Sequence, residues 1–212
     1  MIGAIWASDM EPDIGQEISL PRPSSESGVS VEEALRARRS VRAFTAQPLT
    51  LAAVGQLLWA AQGTSSSGRR TAPSAGALYP IEVYLVSGDV SGLAAGVYKY
   101  QPRAHALSLH APGDSRNNLA RAALWQHWIA EAAAVLVITA VYQRTARKYG
   151  SRAERYVHIE VGHVAQNVYL QAQALGLGTT IVGAFRDRRV RDVMDLSADE
   201  APLALMPVGQ PK

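Results

Sequence analysis

Arg36-Ala37-Arg38-Arg39-Ser40-Val41-Arg42-Ala43-Phe44 places four guanidiniums within seven residues, and such crowding calls for an anion. The helix that leads into it is legible from its start. Ser30, followed three residues later by Glu33, has the form of a capping box, so a helix should open at Val31. Its apolar stripe is Val31, Ala34 and Leu35, and the next position on that stripe is Arg38. An arginine on a core-facing stripe is costly unless something pairs with it. No acid follows Glu33 locally, so the partner is expected from elsewhere in the fold or from a ligand. A solvated basic helix end, favoured by the helix dipole, is the plain alternative.

Composition narrows the field. A chain of 212 residues that is 48% hydrophobic can bury one sizeable core. Without a cysteine it has no disulfide, no thiolate catalysis and no sulfur-ligated metal, and its five histidines lack metal spacing, so no metal site is expected. The opening Met1-Ile2-Gly3-Ala4-Ile5-Trp6-Ala7-Ser8-Asp9 has no basic n-region, and no apolar run reaches spanning length. A cytoplasmic protein without a membrane partner is the default expectation. Residues 1–33 hold seven acids and one base, whereas the remainder holds 20 bases and 11 acids, a net +9. Those bases cluster at a few loops without interleaved aromatics, which argues against nucleic acid and for small phosphorylated ligands.

Along the chain, residues 1–28 are rich in Pro, Ser and acid and read as an extended N-terminal arm, leaving 29–212 as one folded domain. Pro48 and Thr50 should open a helix carrying Leu51, Val54, Leu57, Leu58 and Ala61, ended by Gly63. A Ser-rich, basic loop follows, then Pro73-Ser74-Ala75-Gly76-Ala77-Leu78-Tyr79-Pro80 and a strand with Ile81, Val83 and Leu85 on one side and Glu82, Tyr84 and Val86 on the other. Small residues before that strand let backbone approach a flat ligand; a plain turn is the alternative. Residues 96–110 read as a hairpin, 114–129 as one helix, and 132–141 as a strand covered on both faces. A basic loop, 143–155, precedes the longest helix, about 153–175, with Val157, Val161, Val164, Val168 and Ala172 as its core stripe. Asp187 to Leu196 should form a short helix, and 203–209 a closing strand. The patterns together describe an α+β fold, one sheet wrapped by helices around a long central one. No dinucleotide or P-loop glycine motif is present.

Three of these stretches carry a family resemblance. Arg38-Arg39-Ser40-Val41-Arg42 resembles the R-R-S-x-R motif of the nitroreductase family of flavoproteins, Pro73 to Pro80 its second flavin motif, and Glu160-x-Gly162-His163 together with 174–185 its third. The resemblance covers about residues 29–209 and implies a homodimer with two FMN sites at the interface. It implies that Arg38, Arg39, Ser40 and Arg42 hold the phosphate and pyrimidine edge of FMN. Pro73, Ser74, Ala75, Gly76, Leu78 and Gln126 would belong to the same site, and a strand through Val182, Gly183 and Ala184 would pass the flavin ring. NAD(P)H would then be a transient reductant. Arg144-Thr145-Ala146-Arg147-Lys148-Tyr149-Gly150-Ser151-Arg152-Ala153 is similar to a segment of the SagB-type branch, in which the Lys-Tyr pair is implicated in proton removal, so Lys148 and Tyr149 become candidate catalytic residues. Arg147 and Glu154 stand where that branch commonly has aromatics. The implied function is two-electron hydride transfer from NAD(P)H to a nitro, quinone or related small molecule. The alternatives are oxidation of a peptide-derived substrate and a flavin-binding or docking subunit without turnover of its own.

Overall fold

The computed structural model describes residues 13–212; the expectations for the chain start and for the first part of the arm, residues 1–12, lie outside the described residues. In chain order the elements are β1 (Glu17–Ser19), α1 (Val31–Ala37), β2 (Leu49–Thr50), α2 (Leu51–Gln62), β3 (Ile81–Ser87), β4 (Val90–Ser91), β5 (Gly96–Gln101), β6 (Ala106–Pro112), α3 (Arg116–Ala122), α4 (Trp128–Glu131), β7 (Ala134–Ala140), α5 (Tyr142–Tyr149), α6 (Ala153–Ala174), β8 (Gly178–Thr179), α7 (Asp187–Met194) and β9 (Ala201–Gly209). Seven strands form one sheet in the order β1-β6-β5-β3-β7-β9-β8, and each neighbouring pair is antiparallel. The architecture is the expected α+β sheet wrapped by helices.

The alternation in β3 assigns the two faces. Ile81, Val83 and Leu85 pack with Leu57 of α2 and Val157, Val164 and Val168 of α6. Tyr84 and Val86 pack on the opposite side with Leu119 of α3, Ile129 of α4 and Val190 and Met194 of α7. Strand β7 is buried at every residue, as its continuous apolar run demands. The 22 residues of α6 span about 33 Å and lie along the first face. Ser30 caps α1 by accepting from Glu33 N at 3.1 Å, one half of the expected capping box, and Thr50 at the opening of α2 accepts from Ala53 N at 3.1 Å. No helix among the described residues is long and apolar enough to cross a membrane.

Five expectations need correction. Residues 17–19 are extended but not free, since they pair with β6, and the following segment is pinned where Ser24 exchanges two hydrogen bonds with Gln56. Helix α1 buries only Ala34, leaving Val31 63% and Leu35 52% exposed. It also stops at Ala37, so Arg38 turns away in extended backbone (φ −56°, ψ 128°) instead of continuing the stripe. The helix expected over 114–129 is two helices, because Leu124 and Trp125 adopt left-handed φ values of 57° and 62° between α3 and α4. The stretch read as a basic loop is mostly helix α5, ended at Gly150 (φ 55°). Finally, 181–184 is not a strand; only Val182 pairs, with Leu205 of β9.

Candidate functional site

The functional side chains fall into two groups, each mounted on α6. The first forms because α1 ends early. Released from the helix, the chain runs beside β8, where Val41 N donates to Thr179 O at 2.9 Å. Gly178 is what allows this approach, since a Cβ there would stand 2.6 Å from Val41 Cγ1. Arg38 then lies with its Cζ 5.1 Å over the ring of Tyr169, and Ser40 Oγ is 3.1 Å from the Tyr169 hydroxyl. The same hydroxyl accepts from Ile181 N at 2.9 Å. Burial by itself would raise the Tyr169 pKa, but hydrogen bonding from Ser40, Ile181 and Thr180 and the charge of Arg38 outweigh it and lower the phenol.

Tyr169 therefore ties the basic stretch to the segment 181–184. Within that segment Val182 is buried while Gly183 and Ala184 are exposed, and a Cβ built on Gly183 would meet no heavy atom within 4 Å. Gln126, released by the break between α3 and α4, donates through Nε2 to Ala123 O at 2.8 Å and Ala184 O at 2.9 Å. Arg42 stands 6.0 Å from the ring of Trp128, and none of Arg38, Arg39 and Arg42 forms an ion pair among the described residues. The end of the chain returns to this place: Lys212 N donates to Ala43 O at 3.1 Å and Thr45 N to Gln210 O at 2.9 Å. Sequence reading missed Tyr169, which is one more apolar-spaced residue on a long helix.

The second group gathers around Gly76. Gly76, Ala77 and Tyr79 have φ values of 63°, 53° and 48°, and the loop is closed where Tyr79 N donates to Ser74 Oγ at 3.0 Å. For Ala77 and Tyr79 that conformation costs about 1–2 kcal/mol each, the kind of strain that gathers at functional sites. Lys148 and Tyr149 converge on this loop, since a Cβ at Gly76 would stand 2.9 Å from Tyr149 Oη and 3.1 Å from Lys148 Nζ. Helix α5 is anchored there by Arg144, which donates to Tyr79 O at 3.0 Å and pairs with Glu82. Arg144 is thus committed structurally, whereas Arg147, Lys148, Arg152 and Arg155 form no ion pair among the described residues. His163 on α6 places Nδ1 3.3 Å from Pro73 O. One turn earlier Glu160 is only 2% exposed, with no partner for Oε1; burial pushes its carboxyl up to about 7, with Ser74 and Gln62 pulling it part of the way back.

The structure therefore brings Arg38 and Ser40 together with 181–184 and Gln126. Separately, it brings the 73–79 loop together with Lys148 and Tyr149. Among the described residues no hydrogen bond or ion pair joins the two groups.

The model described as the Nitroreductase family matches residues 35–210. A Methanocaldococcus jannaschii protein provisionally named a nitroreductase is 48% identical over 198 residues, covering 93% of this chain and 98% of its own. The microcin B17-processing protein McbC of Escherichia coli is 32% identical over 136 residues, 61% of this chain and 50% of its own. Among solved structures, a provisionally named nitroreductase from Ralstonia eutropha superposes with a TM-score of 0.83 at 31% identity, covering 97% of this chain and 96% of that one. The NADPH:FMN oxidoreductase of Vibrio harveyi complexed with NAD+ superposes with a TM-score of 0.64 at 26% identity, covering 86% and 69%.

Proposed function

The chain belongs to the nitroreductase family, and on that premise we propose that it is an FMN-dependent oxidoreductase passing two electrons as hydride from NAD(P)H to a nitro, quinone or related organic acceptor. The observation that carries this reading is the junction across Tyr169, where unpaired guanidiniums and the Ser40 hydroxyl meet an uncovered backbone at Gly183. That donor set fits FMN. Cations and a hydroxyl suit its phosphate, and a glycine with open space before it suits a flat ring.

In this reading Arg38, Arg39, Ser40 and Arg42 hold the phosphate and the anionic edge of the ring system, stabilising charge that grows when electrons arrive. Val182, Gly183 and Ala184 present backbone to the ring, and Gln126 fixes them through the Ala184 carbonyl. Bound FMN supplies the hydride chemistry; the protein supplies orientation and electrostatics. Pro73, Ser74, Ala75, Gly76 and Leu78 complete the site from a second copy of the chain. Their separation from the Arg38 group within one chain supports a homodimer, as do the exposed Val31, Leu35, Ile159 and Ile181. Purified protein should be yellow, release FMN on denaturation and bleach with NAD(P)H without oxygen. A colourless protein that FMN cannot reconstitute would overturn the reading.

A second reading, a SagB-type dehydrogenase of a peptide-derived substrate, is favoured by one observation: Lys148 Nζ and Tyr149 Oη both point at Gly76. There Lys148 would take the substrate proton while the hydride leaves, with Tyr149 beside it. The likeness to a microcin-processing protein supports that substrate class.

A further inference from the structure

The loop 64–71 and the segment 73–79 wall a cleft of about 470 Å³; Pro73, Ser74 and Gly76 on one wall belong to the flavin reading above, whereas the facing loop 64–71 has no role in it. Arg69, Arg70, Ser65 and Ser67 line it together with Gly76 and Tyr79. The loop is held by its own backbone, with Ser65 N donating to Arg69 O at 2.6 Å, Gly68 N to Ser65 O at 2.9 Å, and Thr64 bridged to Arg70. Both arginines are therefore carried on a tight turn. Ser65 Oγ and Ser67 Oγ lie 3.0 Å apart at the same mouth.

Arg70 is the informative residue. It is half-buried, donates from Nη1 to Gln62 O at 3.1 Å, and stacks with Cζ 5.4 Å over the Tyr79 ring, yet it forms no ion pair among the described residues. Burial lowers its pKa, with Glu82 the largest opposing influence. Glu82, however, is already engaged by Arg144 and Lys99. The cleft thus holds two guanidiniums and two hydroxyls, and among the described residues no acid forms an ion pair with them. A carboxylate is satisfied by one guanidinium fork, whereas a dianionic phosphate monoester, with three acceptor oxygens, uses this whole set.

We propose that the cleft between loop 64–71 and segment 73–79 is a phosphate-monoester subsite built by Arg69, Arg70, Ser65 and Ser67, and that it takes the 2′-phosphate of NADPH. The nucleotide assignment rests on the function proposed above; the phosphate assignment does not. The cleft shares Gly76 with the Lys148–Tyr149 group, so it adjoins the place where a reactant meets the site. Of the reactants in that reaction, NADPH carries a phosphate monoester and NADH does not. The monoester of FMN is claimed by the Arg38 group.

Calorimetric titration of the full chain with adenosine 2′,5′-bisphosphate and with AMP tests this whether or not flavin is bound. The bisphosphate should bind at least tenfold tighter than AMP, and Arg69→Gln/Arg70→Gln should erase the difference while FMN content is unchanged. Arg69→Gln alone, at an exposed position, should lose part of the preference even if Arg70 proves needed for folding. With flavin bound, the KM for NADPH should be at least tenfold below that for NADH, and the double substitution should bring the two together. Equal affinity for the two nucleotides, or a preference that survives the double substitution, overturns the inference and leaves the flavin reading standing. Loss of FMN in the double variant also overturns it, by giving the cleft to the flavin phosphate.

Discussion

Replacing Glu160 by Gln should remove most of the pH dependence of stability at neutral pH. Glu160 sits on α6 beneath the 73–79 loop, 2% exposed, with Oε1 unpartnered. Burial raises its pKa from the ordinary 4.5 to about 7, with Ser74 and Gln62 working against the rise. The folded state therefore holds a proton that the unfolded state has released. Stability from this group is fully present below pH 4.5, falls as pH rises through about 7, and levels off above. At about 1.36 kcal/mol per pH unit the loss is about 3 kcal/mol. Glutamine keeps the shape and carries no charge, so wild type and Glu160→Gln should be close in stability at pH 4.5, and the variant should lead by up to about 3 kcal/mol at pH 8. Urea denaturation at pH 4.5, 6, 7 and 8, with the slope of each transition checked for constancy, reads this directly. A wild type whose midpoint is flat over that range, or a variant that loses stability in parallel with it, would refute the reasoning.

Arg38→Ala should weaken FMN binding by roughly 1.5–3 kcal/mol, the range for a hydrogen bond to a charged group, and leave the fold intact; unchanged affinity on fluorescence titration contradicts the assignment. Gly183→Val should fold, because the space before Gly183 is empty of protein atoms, yet purify largely without flavin. Full flavin content after denaturation, read by absorbance, would place the ring elsewhere. Lys148→Ala should change quinone turnover by less than about tenfold, because solvent can supply the protons. If Lys148 removes a proton from a peptide-derived ring, turnover of a thiazoline peptide should instead fall by ~10²–10⁴-fold while reduction by NAD(P)H stays normal.

Most of the fold was legible because its signals are local. Thr50 and Gly63 bound α2, the alternation in β3 sorts its two faces, and the unbroken apolar run of β7 announces burial on both sides. What escaped depends on distant partners. Nothing near Trp125 forbids a continued helix; the break is explained by Gln126, whose Nε2 reaches Ala184 O, 58 residues away. Arg38 was assigned to a core stripe by spacing, but the helix had ended, and its companion proved to be Tyr169, an aromatic whose periodic position fits plain core packing. Glu160 shows the same limit in reverse. It falls on the stripe of α6 as a charged residue, and only the packed structure reveals that its carboxyl is buried with an unpartnered oxygen.

The placement of both groups on α6 bears on the proposal that a second copy completes the site. A straight helix turns about 100° and rises about 1.5 Å per residue. From Glu160 to Tyr169 that is about 13 Å along the axis and about half a turn around it. From His163 to Tyr169 it is about 9 Å and about a third of a turn. The Gly76 loop packs on the Glu160–His163 side and the Arg38 cluster on the Tyr169 side, so the body of α6 stands between them. A flat cofactor cannot touch both within one chain without passing through a helix that packs against the sheet. Two copies related by a twofold axis remove the obstacle, because one chain's Gly76 loop can then face the other chain's Gly183. Exposed Ile159 on α6 and Ile181 beside the first group are placed to be covered in that arrangement. Ile181→Asp should therefore lower dimer affinity and FMN content together in analytical ultracentrifugation followed by absorbance. A variant that loses the dimer yet keeps its flavin would mean that one chain builds the site alone.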